Sequence, residues 1–174
     1  MQDIHQRARA IRLAAFDVDG VLTDGRLYYS ARGEELKVFD VKDGHGLKML
    51  QATGVTLAIV TSRSSEAVAL RAKNLGIDLV FQGVADKLAA VRALNAQLNV
   101  SAAETFFMGD DYVDLAVMQH CGFASTVPDA PRELRTLAHY VTEARGGRGA
   151  VREVCEFLLR AQGRFDVTLG LHQA

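Results

Sequence analysis

The sequence predicts an α/β fold built on a doubly wound parallel sheet, and three observations carry that prediction. Short apolar runs recur along the chain, separated by ten or more residues that carry apolar side chains at three- and four-residue spacing. The runs are continuously apolar, as strands covered on both faces require. The 174 residues, 49% hydrophobic and 24% charged, suffice for one buried core and leave no room for two enzymatic halves.

The first strand is residues 11–16, closed by the charge of Asp17. Residues 26–41 break the rhythm. There Leu27-Tyr28-Tyr29 and Leu36-Lys37-Val38-Phe39 flank the turn-like Ala31-Arg32-Gly33, which reads as a β-hairpin inserted after strand one, with room for one helix behind it. Residues 55–60 follow the breaker Thr53-Gly54 as the second strand, and further strands are read at 79–81, 105–108, 123–125 and 140–141. Crossover helices are expected at 66–75, 86–98, 113–120 and 132–138, the last entered through Pro128 and Pro131. A final helix over 149–161 places Val151, Val154, Cys155 and Leu158 on one face. No linker or repeat divides the chain, so residues 1–174 are expected to form a single domain: one Rossmann-like sheet with a hairpin insertion and a less periodic tail at 163–174.

Composition excludes several classes of function. Lys and Arg total 20 against 21 Asp and Glu, a net charge of −1, so no electrostatic excess draws the chain to nucleic acid or to an anionic membrane. Its apolar runs fall far short of the about 20 residues that span a bilayer. Cys121 and Cys155 form no CxxC, and His5, His45, His120, His139 and His172 form no zinc spacing. Reduced thiols and no export segment fit a cytoplasmic protein.

The chemistry gathers where strands end. A parallel sheet binds ligands at the carboxyl ends of its strands, and strand one ends in Asp17-Val18-Asp19-Gly20. Alternation points Asp17 and Asp19 the same way, close enough to share a cation, with an Asp-rich turn as the structural alternative. A calcium loop fails on count, because Val21 and Tyr28 stand where oxygen ligands are wanted. A phosphate loop fails because Arg26-Leu27 follows Gly25. Strand two ends in Thr61-Ser62-Arg63-Ser64, which brings hydroxyls and a guanidinium, or else a helix cap near Ser64. Lys87 opens the helix after strand three, and strand four runs into Gly109-Asp110-Asp111-Tyr112-Val113-Asp114, whose acids would serve equally as caps.

Acids, hydroxyl, lysine and acids after successive strands resemble the four motifs of the haloacid dehalogenase superfamily of phosphotransferases. Asp17-x-Asp19 with Gly20, Thr61, Lys87, and Gly109-Asp110-Asp111 with Asp114 carry the likeness over residues 11–145. The resemblance implies that Asp17 is the nucleophile that forms an aspartyl-phosphate and that Asp19 is the general acid and then base. Mg2+ would be held by Asp17, the Asp19 backbone carbonyl and Asp110, a set of hard oxygens without His or Cys. Thr61 would hydrogen-bond the phosphoryl oxygens, and Lys87 would balance the charge on Asp17. Asp111 and Asp114 would lie outside the metal's own ligands, or orient Lys87.

Neither insertion slot of that superfamily is large here, which implies a protein without a cap domain. Gly146-Gly147-Arg148-Gly149-Ala150-Val151-Arg152-Glu153-Val154-Cys155 and Asp43-Gly44-His45-Gly46 closely resemble the phosphatases of 3-deoxy-D-manno-octulosonate 8-phosphate in lipopolysaccharide synthesis. The substrate implied is therefore a sugar-acid phosphate, and close relatives act on nine-carbon keto-sugar acid 9-phosphates. A catalytically silent regulatory subunit of the same fold is a further alternative. Arg63 and Arg148 are candidate substrate contacts, Arg148 as part of an anion-binding corner where the final helix begins. Ser62 departs from the family, which often has Gly there. Without a cap, neighbouring subunits would close the site: the resemblance implies a homotetramer, with Tyr28, Tyr29 and Phe39 of the hairpin as interface candidates and the 163–174 tail reaching a neighbour.

Overall fold

The computed structural model describes residues 2–33 and 35–170. Eight strands and eight helices follow one another in these segments: α1 (Gln2–Arg9), β1 (Leu13–Phe16), β2 (Tyr28–Tyr29), β3 (Glu35–Leu36), α2 (Val41–Gln51), β4 (Thr56–Val60), α3 (Glu66–Leu75) and β5 (Leu79–Phe81). Then come α4 (Lys87–Leu98), β6 (Thr105–Met108), α5 (Leu115–His120), β7 (Phe123–Thr126), α6 (Arg132–Leu137), β8 (Tyr140–Val141), α7 (Ala150–Ala161) and α8 (Phe165–Gly170). Short 3₁₀ turns at Ala102–Glu104 and Tyr112–Asp114 lead into β6 and α5.

Six strands form one sheet in the order β5-β4-β1-β6-β7-β8, and every pairing in it is parallel. The order reverses at β1, and ligands of such sheets bind at this switch point. Register then decides what meets there. Phe16 lies opposite both Ile59 and Met108, so Asp17, Thr61 and Asp110 leave the same edge one or two positions later. The core is apolar on both faces of the sheet, with Phe16, Phe106 and Phe123 stacked edge to tilt across β1, β6 and β7. No helix among the described residues is long and apolar enough to cross a membrane. Cys121 and Cys155 are buried free thiols.

The structure departs from the sequence expectation in four places. The apolar pattern predicts nothing before residue 11, yet residues 2–9 form α1, which places Ile4 and Ala8 against the core and α7. Those two apolar residues in eight are too few to stand out from a polar stretch. Among the described residues the paired part of the hairpin is shorter than 26–41: Tyr28 and Tyr29 pair with Leu36 and Glu35, and the Asp40 carboxylate already caps α2 at the amides of Lys42 and Asp43. Phe39 is not exposed but packs on the core with the Arg71 guanidinium over its ring. Residues 165–170 of the expected tail form α8, with Phe165 and Thr168 buried, while residues 171–174 lie outside the described residues.

Candidate active site

The loop after β1 turns back through Gly20, whose φ of +84° is a conformation L side chains rarely adopt. A Cβ on Gly20 would lie 1.9 Å from Asp110 Oδ2, so the glycine is what lets the loops after β1 and β6 approach. The Gly-rich segment before α7 presses on the same turn. A Cβ on Gly146 would lie 1.8 Å from the Gly20 carbonyl oxygen, and the Gly147 amide donates to the Val21 carbonyl at 2.9 Å.

Around this turn the structure brings together Asp17, Lys87, Asp110 and Asp114. Lys87 Nζ, which is buried, stands 2.9 Å from Asp17 Oδ2 and 2.6 Å from Asp114 Oδ1. The second oxygen of Asp114 accepts the backbone N–H groups of Asp110 and Asp111 at 3.0 and 3.3 Å. Asp114 therefore both orients Lys87 and shapes the loop that presents Asp110. Asp111 does neither. It is exposed, and its carboxylate caps the following turn at the Tyr112 amide, 2.8 Å away, which is the capping alternative.

The electrostatics are those of crowded, dehydrated acids. Burial pushes the Asp110 carboxyl up to about 8, reinforced by the negative charges of Asp17, Asp114 and Asp111. Burial and Asp114 raise Asp17 to about 6, against the pull of Lys87. Burial alone would lower Lys87, but the two carboxylates flanking it outweigh that and hold it above its usual range. Asp17, Asp110 and Asp114 each offer an oxygen within 4.8 Å of the others, and Asp17 Oδ1 is buried with no hydrogen-bond partner among the described residues. An oxygen-only set with one free buried lone pair fits a hard dication such as Mg2+. Asp114 has both oxygens engaged, so Asp17 and Asp110 are the side chains open to an ion.

Thr61 is buried beside them, its hydroxyl accepting the Arg63 amide at 3.4 Å, and it lines a cleft of about 260 Å³ with Asp17, Asp19, Lys87 and Asp110. The cap expected near Ser64 falls at Ser65, whose side chain makes no cap hydrogen bond among the described residues and whose amide goes to Gln82 Oε1 at 2.7 Å. Asp19 turns away from the acid cluster toward the hairpin. Lys37 Nζ sits against its Oδ1, and Arg63 Nε lies 3.7 Å from its Oδ2. Glu35 bridges the two cations, 3.0 Å from Lys37 and 2.6 Å from Arg63, and its hydrogen bond from Lys37 holds its carboxyl below the usual range. The Tyr29 hydroxyl accepts from Arg63 at 3.1 Å.

Lys37 and Glu35 are not among the residues the sequence singles out, and Tyr29 is singled out there only as an interface candidate. The signal that reveals them is the Glu35-x-Lys37 alternation, which puts opposite charges on one strand face beside Asp19.

The anion-binding corner expected at the start of α7 is occupied by the protein itself. Asp43 Oδ2 accepts the Gly149 amide at 3.2 Å and Oδ1 the Arg152 amide at 2.7 Å, so a buried carboxylate takes the helix-end donors. Arg148 instead extends, largely exposed, toward Asp24 Oδ2 at 4.0 Å. With Arg26 and Arg145 it rims a cavity of about 580 Å³ that reaches Gly20 and Asp110.

The model of the haloacid dehalogenase-like hydrolases matches residues 77–153. A 3-deoxy-D-manno-octulosonate 8-phosphate phosphatase of Yersinia pestis is 44% identical over 97% of this chain and 90% of the relative. The crystal structure of such a phosphatase from Moraxella catarrhalis, in complex with a magnesium ion, a phosphate ion and a KDO molecule, superposes with a TM-score of 0.97 at 44% identity, covering 99% of both chains. The cobalt-bound enzyme from Haemophilus influenzae gives a TM-score of 0.90 at 41% identity, covering 93% of this chain and 95% of that one.

Proposed function

The chain belongs to the 3-deoxy-D-manno-octulosonate 8-phosphate phosphatases, within the haloacid dehalogenase-like hydrolases, and from that premise we propose that it hydrolyses this eight-carbon sugar-acid phosphate to 3-deoxy-D-manno-octulosonate and phosphate, with Mg2+ as cofactor. The observation that carries the reading is the buried Asp17–Lys87–Asp114 arrangement with Asp110 beside it, in a chain alike to these enzymes from end to end.

Phosphate monoester hydrolysis is among the slowest uncatalysed reactions, so a site must supply a nucleophile and offset phosphoryl charge. Asp17 attacks phosphorus and forms an aspartyl-phosphate while the bond to the bridging oxygen breaks. Asp19 gives that oxygen its proton, and then takes a proton from the water that attacks the Asp17 phosphate and frees the carboxylate. Thr61 donates its hydroxyl hydrogen to a phosphoryl oxygen. Lys87, fixed by Asp114, balances charge on Asp17 and the transferring group. Mg2+ held by Asp17, Asp110 and the Asp19 backbone carbonyl supplies positive charge between carboxylates and phosphate that would otherwise repel. Arg63 and Arg148 are proposed as contacts to the anionic sugar.

Residues 1–174 are taken as one catalytic unit of a cytoplasmic homotetramer. Leu36, Val38 and Tyr28 support that assembly, because they leave the outer face of the hairpin apolar and exposed beside the site. The activity is tested by phosphate release from 3-deoxy-D-manno-octulosonate 8-phosphate. Turnover that stops in excess chelator, returns with Mg2+ and is abolished in Asp17→Asn is the expected result. Full turnover in chelator, or in Asp17→Asn, overturns the mechanism.

A further inference from the structure

The hairpin's ladder gives its two faces opposite characters. Tyr29 lies opposite Glu35, and alternation sets Lys37 on the same side as Glu35, so that Tyr29, Glu35 and Lys37 meet Asp19 and Arg63. Leu36 and Val38, between and beyond them, are exposed. A lysine on a short surface ribbon ordinarily extends its ammonium into water, because dehydrating it is costly. The Lys37 side chain is 2% exposed, with Nζ pressed on Asp19 Oδ1 and 3.0 Å from Glu35 Oε1. Glu35 holds Arg63 at 2.6 Å, and Arg63 returns to the other oxygen of Asp19 at 3.7 Å. Two carboxylates, Asp19 and Glu35, and two cations, Lys37 and Arg63, close a ring that includes the residue read as acid and base.

We propose that Lys37 is the positioning residue for Asp19, fixing its carboxyl where proton transfer to the leaving oxygen takes place, and that Glu35 holds Lys37 in that place. The inference rests on the acid/base role of Asp19 given above. The terminal torsion of an aspartate is broad and roughly two-fold, so a carboxyl on a loop needs outside contacts to choose one orientation. Lys37 makes the closer of the two contacts, and its burial keeps it from touching substrate while it does so. Its action is therefore through Asp19. In the transfer, the Asp19 proton goes to the bridging oxygen as that oxygen leaves phosphorus.

The test uses the Mg2+-loaded enzyme and two substrates with different leaving groups. The sugar phosphate expels an alkoxide that needs a proton, whereas p-nitrophenyl phosphate expels a stable phenolate that does not. Because general acid assistance is worth about 10²–10⁴-fold, kcat/KM of Lys37→Met should fall on the order of 10²-fold on the sugar phosphate and less than about threefold on the aryl ester. Lys37→Arg should recover part of the loss, and Glu35→Gln should show the same split more weakly. Equal losses on both substrates in a variant that melts like wild type would reduce Lys37 to a structural role and overturn the proposal, as would an unchanged rate on the sugar phosphate. Should Lys37→Met not fold, Glu35→Gln decides by the same ratio. Wild-type enzyme without Mg2+-dependent turnover of the sugar phosphate would overturn the activity itself, and the inference with it.

Discussion

Asp43 Oδ1 accepts the backbone N–H of Arg152 at 2.7 Å, joining α2 to the start of α7 across 109 positions of chain. Its other oxygen takes the Gly149 amide at 3.2 Å. The same α7 start carries the Gly146-Gly147 segment that packs on the turn of Gly20 and Thr23, so a cap on one helix steadies the loop that presents Asp17 and Asp19. Asp43→Ala would leave two partly buried donors unmet and should cost about 1–3 kcal/mol in denaturant unfolding, with Asp43→Asn costing less because it keeps one acceptor. An Asp43→Ala protein of wild-type stability would show that water serves those amides equally well.

Much of this was legible in the sequence, and the exceptions around the site share a cause. Buried parallel strands announce themselves as apolar runs, so β1, β4, β5, β6, β7 and β8 were read within a residue or two of where they lie. Strand-end acids were legible because a parallel sheet dictates where its ligands emerge. What escaped was decided by long-range pairing. Nothing local to Asp43 says that it caps a helix a hundred residues away, and nothing local to Gly149 says that its amide is already taken. Nothing local to Lys37 marks it either, because its partner Asp19 comes from another strand end.

Gly20→Ala should act through geometry. The φ of +84° strains any L side chain, and the added Cβ would sit 1.9 Å from Asp110 Oδ2, so Asp110 must move. Displacing a group around a metal site typically lowers affinity about 10–100-fold, and a Mg2+ titration of the variant by calorimetry should show a loss of that size. Wild-type Mg2+ affinity in Gly20→Ala would mean that Asp110 is not a ligand.

The raised carboxyls make stability depend on pH. Asp110, at about 8, and Asp17, at about 6, bind protons more tightly folded than unfolded, where an aspartate's ordinary 3.8 applies. The folded state then holds more protons, so the metal-free protein loses stability as pH rises from about 4 through 8. Mg2+ binds the deprotonated acids and opposes that loss. Melting scans at pH 5 and pH 8 should show a lower Tm at pH 8 without metal and a larger gain from Mg2+ there. A Mg2+ gain that is the same at both pH values would contradict the crowded-acid account.

Two truncations separate the roles of the C-terminus. Phe165 is buried with the Arg160 guanidinium 3.5 Å over its ring, and the Thr168 hydroxyl donates to the Phe165 carbonyl at 2.6 Å. Removing residues 165–174 strips that packing, and burial of one phenylalanine is worth about 1.5–3 kcal/mol, so the melting temperature should fall by several degrees. Removing residues 171–174 leaves Phe165 and Thr168 in place, and the Tm should hold. If those last residues reach a neighbouring subunit's site, the shorter truncation lowers kcat/KM for the sugar phosphate at unchanged Tm, since a segment that closes over substrate is felt in turnover. Unchanged kinetics in that truncation would confine the C-terminus to the structural work of α8.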